Sequence, residues 1–166
     1  DGYENLEDLV SQYESWIKGK RETSITLDTQ YRKASGRHLS NCETAAERMR
    51  DGLAYLRSNK DAAVAFQLAN HAVLLQQLRG GRDPRKASID ARSDRLQFSE
   101  PYQPVDVENP SGHRGYWRAF QIAFLLMNLR STAEGHDFDR ETVELIWFPT
   151  GGGKTEAYLG LTAFSL

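Results

Sequence analysis

Apolar residues recur at helical spacing in three stretches before residue 80, and then the pattern breaks. Leu6, Leu9, Val10, Tyr13, Trp16 and Ile17 fall on one helical face, and Gly19 is expected to close that helix. Lys20 to Leu27 is polar. A second stripe holds Leu39, Cys42, Ala46, Met49, Leu53 and Leu56. Gly52 lies inside it, where glycine costs about 1 kcal/mol relative to alanine. A close crossing with another helix would account for it. Ala62 to Leu78 is apolar around much of its circumference, so burial on more than one side is expected. Asn59 or Ser58 can cap this third helix, and Asp61 suits its first turn. Gly80-Gly81 stops it and Pro84 prevents its resumption. Asn70 and His71 within it read as hydrogen-bonded core or interface groups, because no second metal-ligand type stands four residues away.

From Gly81 to Gly115 no periodicity survives, and prolines 84, 101, 104 and 110 rule out a long helix. Arg79, Arg82, Arg85, Lys86, Arg92 and Arg95 make the first half basic. This stretch is either a solvated linker or a strip that touches a phosphate backbone. The interleaved Asp83, Asp90 and Asp94 favour the linker. Order returns at Tyr116, with a helix expected to about Arg130 and a loop from Ser131 to Asp139. Thr142 to Phe148 is β-branched and aromatic and reads as a strand. Pro149 to Gly153 reads as a loop, and Lys154 to about Leu166 as a helix. The expected organisation is therefore a mainly α chain. Residues 1–80 form a helical accessory domain, 81–115 a polar linker or loop, and 116–166 the start of an α/β unit.

Composition narrows the class. Of 166 residues, 39% are hydrophobic and 27% charged, which supports a packed core rather than disorder. The net charge of −2 gives no global pull toward nucleic acid or anionic lipid. Cys42 is the single cysteine, so there is no disulfide framework and no multi-cysteine metal site; a reducing cytoplasmic setting suits it. No apolar run is long enough to span a bilayer, so no membrane association is expected. The chain opens on Asp1-Gly2-Tyr3-Glu4, with neither an initiator Met nor the basic-then-apolar order of a signal peptide. That opening suggests a piece of a longer protein.

The chemistry concentrates at Phe148-Pro149-Thr150-Gly151-Gly152-Gly153-Lys154-Thr155. Strand, glycine loop, Lys-Thr and helix is the context a phosphate-binding loop requires. Glycines let successive backbone N–H groups turn toward phosphate oxygens in dihedrals that other residues resist. The helix N-terminus adds unpaired donors and a partial positive charge. Thr150, Gly151, Gly152, Gly153, Lys154 and Thr155 are thus expected to bind ATP. Lys154 would reach the β and γ phosphates, and the Thr155 hydroxyl would ligate Mg²⁺, giving these two residues the catalytic roles. The strict pattern wants glycine where Phe148 stands. Glu156 in the first helical turn suits the helix dipole better than it suits catalysis.

Pro149-Thr150-Gly151-Gly152-Gly153-Lys154-Thr155 resembles motif I of superfamily-two helicases, in which the first position is not reserved for glycine. Upstream, Arg118-Ala119-Phe120-Gln121 resembles the Arg-x-x-Gln that many such enzymes carry on a helix before motif I. An amide can pair with the N6 and N7 edge of adenine in two hydrogen bonds. The resemblance therefore makes Gln121 the expected adenine reader, with Arg118 beside it. The segments Trp117 to Leu126 and Leu145 to Leu161, and more loosely Asn41 to Met49 and Ala65 to Ala72, are similar to the DrmA family. That family is the helicase-like component of the bacterial DISARM anti-phage system. The resemblance implies a RecA-like motor domain beginning near residue 116, DNA as a partner, and a DrmB-like protein partner.

Hydrolysis by such a motor also needs an acidic pair for Mg²⁺ and water and an arginine finger. Glu144 stands alone at its strand and is no substitute for that pair. The 166 residues alone are accordingly expected to be inactive, and the intact parent to be an ATP-dependent helicase or translocase. Two other functions compete with it. One is an interaction module whose docking is switched by nucleotide; the other is a P-loop ATPase that is not a helicase.

Overall fold

In the computed structural model, residues 2–80, 85–110, 115–147, 149 and 151–166 are described. The elements are α1 (Gly2–Ser24), α2 (Thr29–Ser58), α3 (Lys60–Arg79), β1 (Ala87–Asp90), β2 (Arg95–Phe98), α4 (Ala119–Ala133) and α5 (Lys154–Ser165). The architecture is mainly α, as the periodicity requires. Two compact units divide it by contact: Asp1–Asn70 with Trp117–Leu166, and His71–Tyr116. The division by composition runs differently, at residues 80 and 116.

In the first unit the core forms where α2 crosses α4. Met49, Leu53 and Leu56 meet Ile122, Leu125, Leu126 and Leu129, with Leu126 and Leu129 wholly buried. Each such leucine contributes about 1.5–3 kcal/mol relative to exposure. A Cβ on Gly52 would lie 1.9 Å from the Leu126 carbonyl oxygen, so the two backbones touch there. This is the close crossing that a glycine inside the second stripe calls for. Val10 of α1 joins the same core, and Arg50 and Arg57 on α2 pair with Glu14 and Glu7 on α1. Tyr13 is half-buried beside Cys42; burial first, then the Cys42 thiol, pushes its phenol up to about 12. On the other side of α4, Phe164 of α5 enters the core. Gly160 lets α5 approach Trp117, whose ring would be 2.8 Å from an added Cβ.

Four sequence expectations change. Gly19 does not close α1, which continues for another turn to Ser24. It takes no left-handed dihedral, and helix beyond it is held by Thr23 Oγ1 donating to the Gly19 carbonyl and by Arg21 pairing with Glu43 on α2. A glycine ends a helix by adopting positive φ, and this one does not. The helix expected from Tyr116 to Arg130 instead spans Ala119–Ala133, with Arg118 as its N-cap. In α3, Asn59 does cap the helix, its Oδ1 accepting from Ala62 N–H. Yet α3 buries one stripe only: Ala62, Ala69, Val73 and Leu78 are buried, while Val64 and Leu68 are exposed. Finally, residues 142–147 form no strand. Exposure still alternates there with the period of two that the sequence shows: Val143, Leu145 and Trp147 face out, and Glu144 and Ile146 are partly covered. A ladder needs a neighbouring strand, and among the described residues none is present. Phe148 lies outside the described residues.

The second unit holds what the loss of periodicity concealed. β1 and β2 pair antiparallel, Ile89 opposite Leu96 and Asp90 opposite Arg95. The turn between them is made by Asp90, whose carboxylate accepts from Arg92 N–H and Ser93 O–H, and by Asp94 at φ 50°. An aspartate that binds its own turn and another that tolerates positive φ are ordinary turn chemistry. Arg85 stacks over Phe98 at 4.2 Å and over Tyr102 at 5.6 Å, and Arg79 covers Tyr102 at 4.9 Å.

Candidate functional site

The first unit brings Arg118, Gln121, the glycine loop and the start of α5 together. Each position follows from a local cause. Arg118 precedes the first turn of α4, with extended backbone, and its N–H is bonded by the side chain of Gln121 three residues later. That is half of a capping box, and it turns the Gln121 carboxamide back toward the helix start. Gln121 is 4% exposed, facing the loop.

The loop is built for backbone approach. Gly151 and Gly153 have φ 81° and 87°, in the left-handed region that favours glycine, and Gly152 N–H donates to the Pro149 carbonyl at 3.2 Å. Space around Gly151 is open. At Gly153 an added Cβ would sit 2.6 Å from Gln121 Nε2, so a side chain is excluded there twice, by dihedral and by contact. Gly153 is the N-cap of α5 and, lacking a side chain, gives the first-turn N–H groups no acceptor.

Two hydrogen bonds tie α4 to this loop. Arg118 Nη1 donates to the Gly152 carbonyl at 2.8 Å, and Gln121 Nε2 donates to the Gly153 carbonyl at 2.7 Å. Lys154 is half-buried and Thr155 exposed, both in the first turn of α5. Thr150, also expected at the site, lies outside the described residues. Every other expected site residue therefore belongs to one cluster, centred on the loop and the helix start.

Arg48 of α2 was not legible as part of this arrangement. Its guanidinium pairs with Glu144, lies 3.0 Å from Asp139 and donates to the Met127 carbonyl at 3.1 Å. It fastens the segment that leads into the loop to the helical core. Glu144, too distant in sequence to suggest that pairing, is its partner. Beneath residues 144–147 lies an apolar groove of about 450 Å³, lined by Tyr13, Met49, Phe120, Met127, Ile146 and Trp147 among others. Nothing in its lining suggests bond-making chemistry. Among the described residues no cluster of His, Cys, Asp and Glu could hold a metal ion, and no helix is long and apolar enough to cross a membrane.

These features define a helix N-terminus fronted by a left-handed glycine loop and braced from behind by an arginine and a glutamine. No protein-family model matches the chain. It is similar to DISARM protein DrmA of Bacillus paralicheniformis, with 34% identity over 168 aligned residues covering 98% of this chain. The chain spans 13% of the length of that curated relative. The similarity runs through the helices and the loop together.

Proposed function

We propose that the loop Pro149–Gly153 and the start of α5 bind the phosphates of ATP, and that the chain serves an ATP-driven, RecA-like helicase or translocase acting on DNA in anti-phage defence. The observation that carries the phosphate site is the pair of left-handed glycines, Gly151 and Gly153, placed at the N-terminus of a 12-residue helix. Backbone donors and the helix dipole there favour an anion. Open space at Gly151 leaves room for phosphate oxygens to approach the backbone.

Gly151, Gly152 and Gly153 would contribute amides, with Thr150 alongside them in sequence. Lys154 would place a charge-assisted contact on the terminal phosphates. Thr155 offers one hydroxyl to Mg²⁺, which takes its remaining oxygens from phosphate and water. Mg²⁺ when bound would neutralise phosphate charge. Arg118 and Gln121 belong to the same site. The DISARM name of the relative supports defence as the setting, and the family resemblance alone implies a DrmB-like protein as the partner.

Calorimetric titration of ATP into the full-length protein tests the phosphate site. Lys154→Ala should weaken binding by about tenfold or more, from a contact worth about 1.5–3 kcal/mol, and leave the melting temperature unchanged. Unaltered affinity in the folded variant would remove the site from this loop.

A further inference from the structure

We infer that Arg118 and Gln121 are positioning residues for the loop: they hold its peptide planes from behind so that the Gly153 and Lys154 amides face the phosphates. This rests on the phosphate site proposed above and assigns its organisation.

The geometry follows from peptide planarity. In a trans peptide the carbonyl and the following N–H point to opposite sides. Arg118 Nη1 holds the Gly152 carbonyl, so the Gly153 N–H points away from Arg118. Gln121 Nε2 holds the Gly153 carbonyl, so the Lys154 N–H points away from Gln121. Two side chains anchored on α4 thereby fix two successive amides on the opposite side of the loop. A glycine loop is otherwise the segment with most backbone freedom to lose on binding, and fixing it beforehand removes that cost.

The same contacts occupy Gln121. Its Oε1 accepts from Arg118 N–H at 2.7 Å and its Nε2 is committed to Gly153, within a side chain that is 4% exposed. A purine edge needs both ends of the carboxamide. One lone pair and one N–H of the carboxamide are already engaged in these part-buried bonds, so a purine edge would have to use the second of each, within a side chain that faces the loop. Gly153 fits this arrangement closely, because any side chain there would strike Gln121 Nε2.

The experiment compares ATP, GTP and inorganic tripolyphosphate binding to the full-length protein, with Gln121→Ala and Arg118→Ala alongside the wild type. Tripolyphosphate carries the phosphates and no base. Each variant should lose about five- to tenfold in affinity, by the same factor for all three ligands. The loss for Arg118→Ala should persist at about 0.5 M salt, where a bare charge at a distance is screened. Arg118 is exposed, so its variant keeps the fold even if Gln121→Ala does not. A Gln121→Ala protein that loses ATP but keeps GTP and tripolyphosphate would make Gln121 a base reader and overturn the inference. So would an Arg118→Ala protein with wild-type tripolyphosphate affinity, or one whose defect vanishes in salt. A wild-type protein that binds none of the three would instead defeat the phosphate site itself.

Discussion

Where α2 crosses α4, shape holds the chain; where residues 139–153 run into the loop, a few polar side chains hold it. At the crossing, two helix backbones meet at Gly52 and Leu126 with buried leucines on either side. Between residues 139 and 153, Arg48, Arg118 and Gln121 hold a stretch whose described residues have neither helix nor ladder of their own. The first arrangement is intolerant of added volume. The second is intolerant of lost hydrogen bonds, and it holds the loop carbonyls in place without enclosing the loop. A binding loop benefits from the second kind of support and a scaffold from the first.

The sharpest break of this contrast is Gly52→Ala. Its Cβ would meet backbone, which cannot swing aside, so we expect a loss of about 3 kcal/mol or more in denaturant unfolding, despite alanine's better helix propensity. A variant as stable as the wild type would show that the crossing is looser than a backbone contact. Next in size is Arg48→Ala. Removing a guanidinium shared among Glu144, Asp139 and the Met127 carbonyl should cost about 1–3 kcal/mol. Hydrogen exchange should quicken at residues 139–147 and stay slow in α2 and α4; uniform quickening would mean that Arg48 supports the core instead.

A control of opposite sign is Gly19→Ala. Nothing lies within 4 Å of its added Cβ, and the helix runs on through it. It should stabilise the protein by about 0.5–1 kcal/mol, and a destabilised variant would show that α1 bends there. The smallest effect is acid lability of the α1–α2 seam. Arg57 hydrogen-bonds Glu7 and Arg50 hydrogen-bonds Glu14, each lowering its partner's carboxyl below 4.5. A folded pKa below the unfolded one gives stability that is present above about pH 4.5 and fades as pH falls through the folded values. Both carboxylates are exposed, so the melting temperature should fall only slightly more between pH 5 and 3 in the wild type than in Arg50→Ala. Equal slopes would mean the seam contributes nothing.

Local patterns were legible in the sequence and distant pairings were not. Gly52 announced a close crossing because a glycine inside an apolar stripe needs a reason. Gly19 misled, because the same residue type in a polar stretch carries no such demand. Position offered Asn59 or Ser58 as the cap, and the bond from Ala62 N–H decides for Asn59. The β1–β2 hairpin escaped notice because its four-residue strands, exposed except at Asp90, leave no buried face to set a period. Residues 142–147 kept their period and formed no strand, since pairing depends on a neighbour rather than on the segment. At the site, the resemblance to an Arg-x-x-Gln ahead of motif I associated Arg118 and Gln121 with the loop, and the loop's glycines were evident. That the two side chains grip loop carbonyls depends on three-dimensional approach. Arg48 and Glu144, 96 residues apart, carry no shared local signal.

The outward row of Val143, Leu145 and Trp147 also bears on how this polypeptide behaves in a tube. Each is more than four-fifths exposed, on a segment whose backbone groups have no ladder. Such a stretch is a template for colloidal self-association, the hazard that edge strands elsewhere blunt with lysine or proline. Prepared as these 166 residues, the protein should form soluble oligomers or precipitate as its concentration rises, and a single lysine at Leu145 should act as a gatekeeper and keep it dispersed.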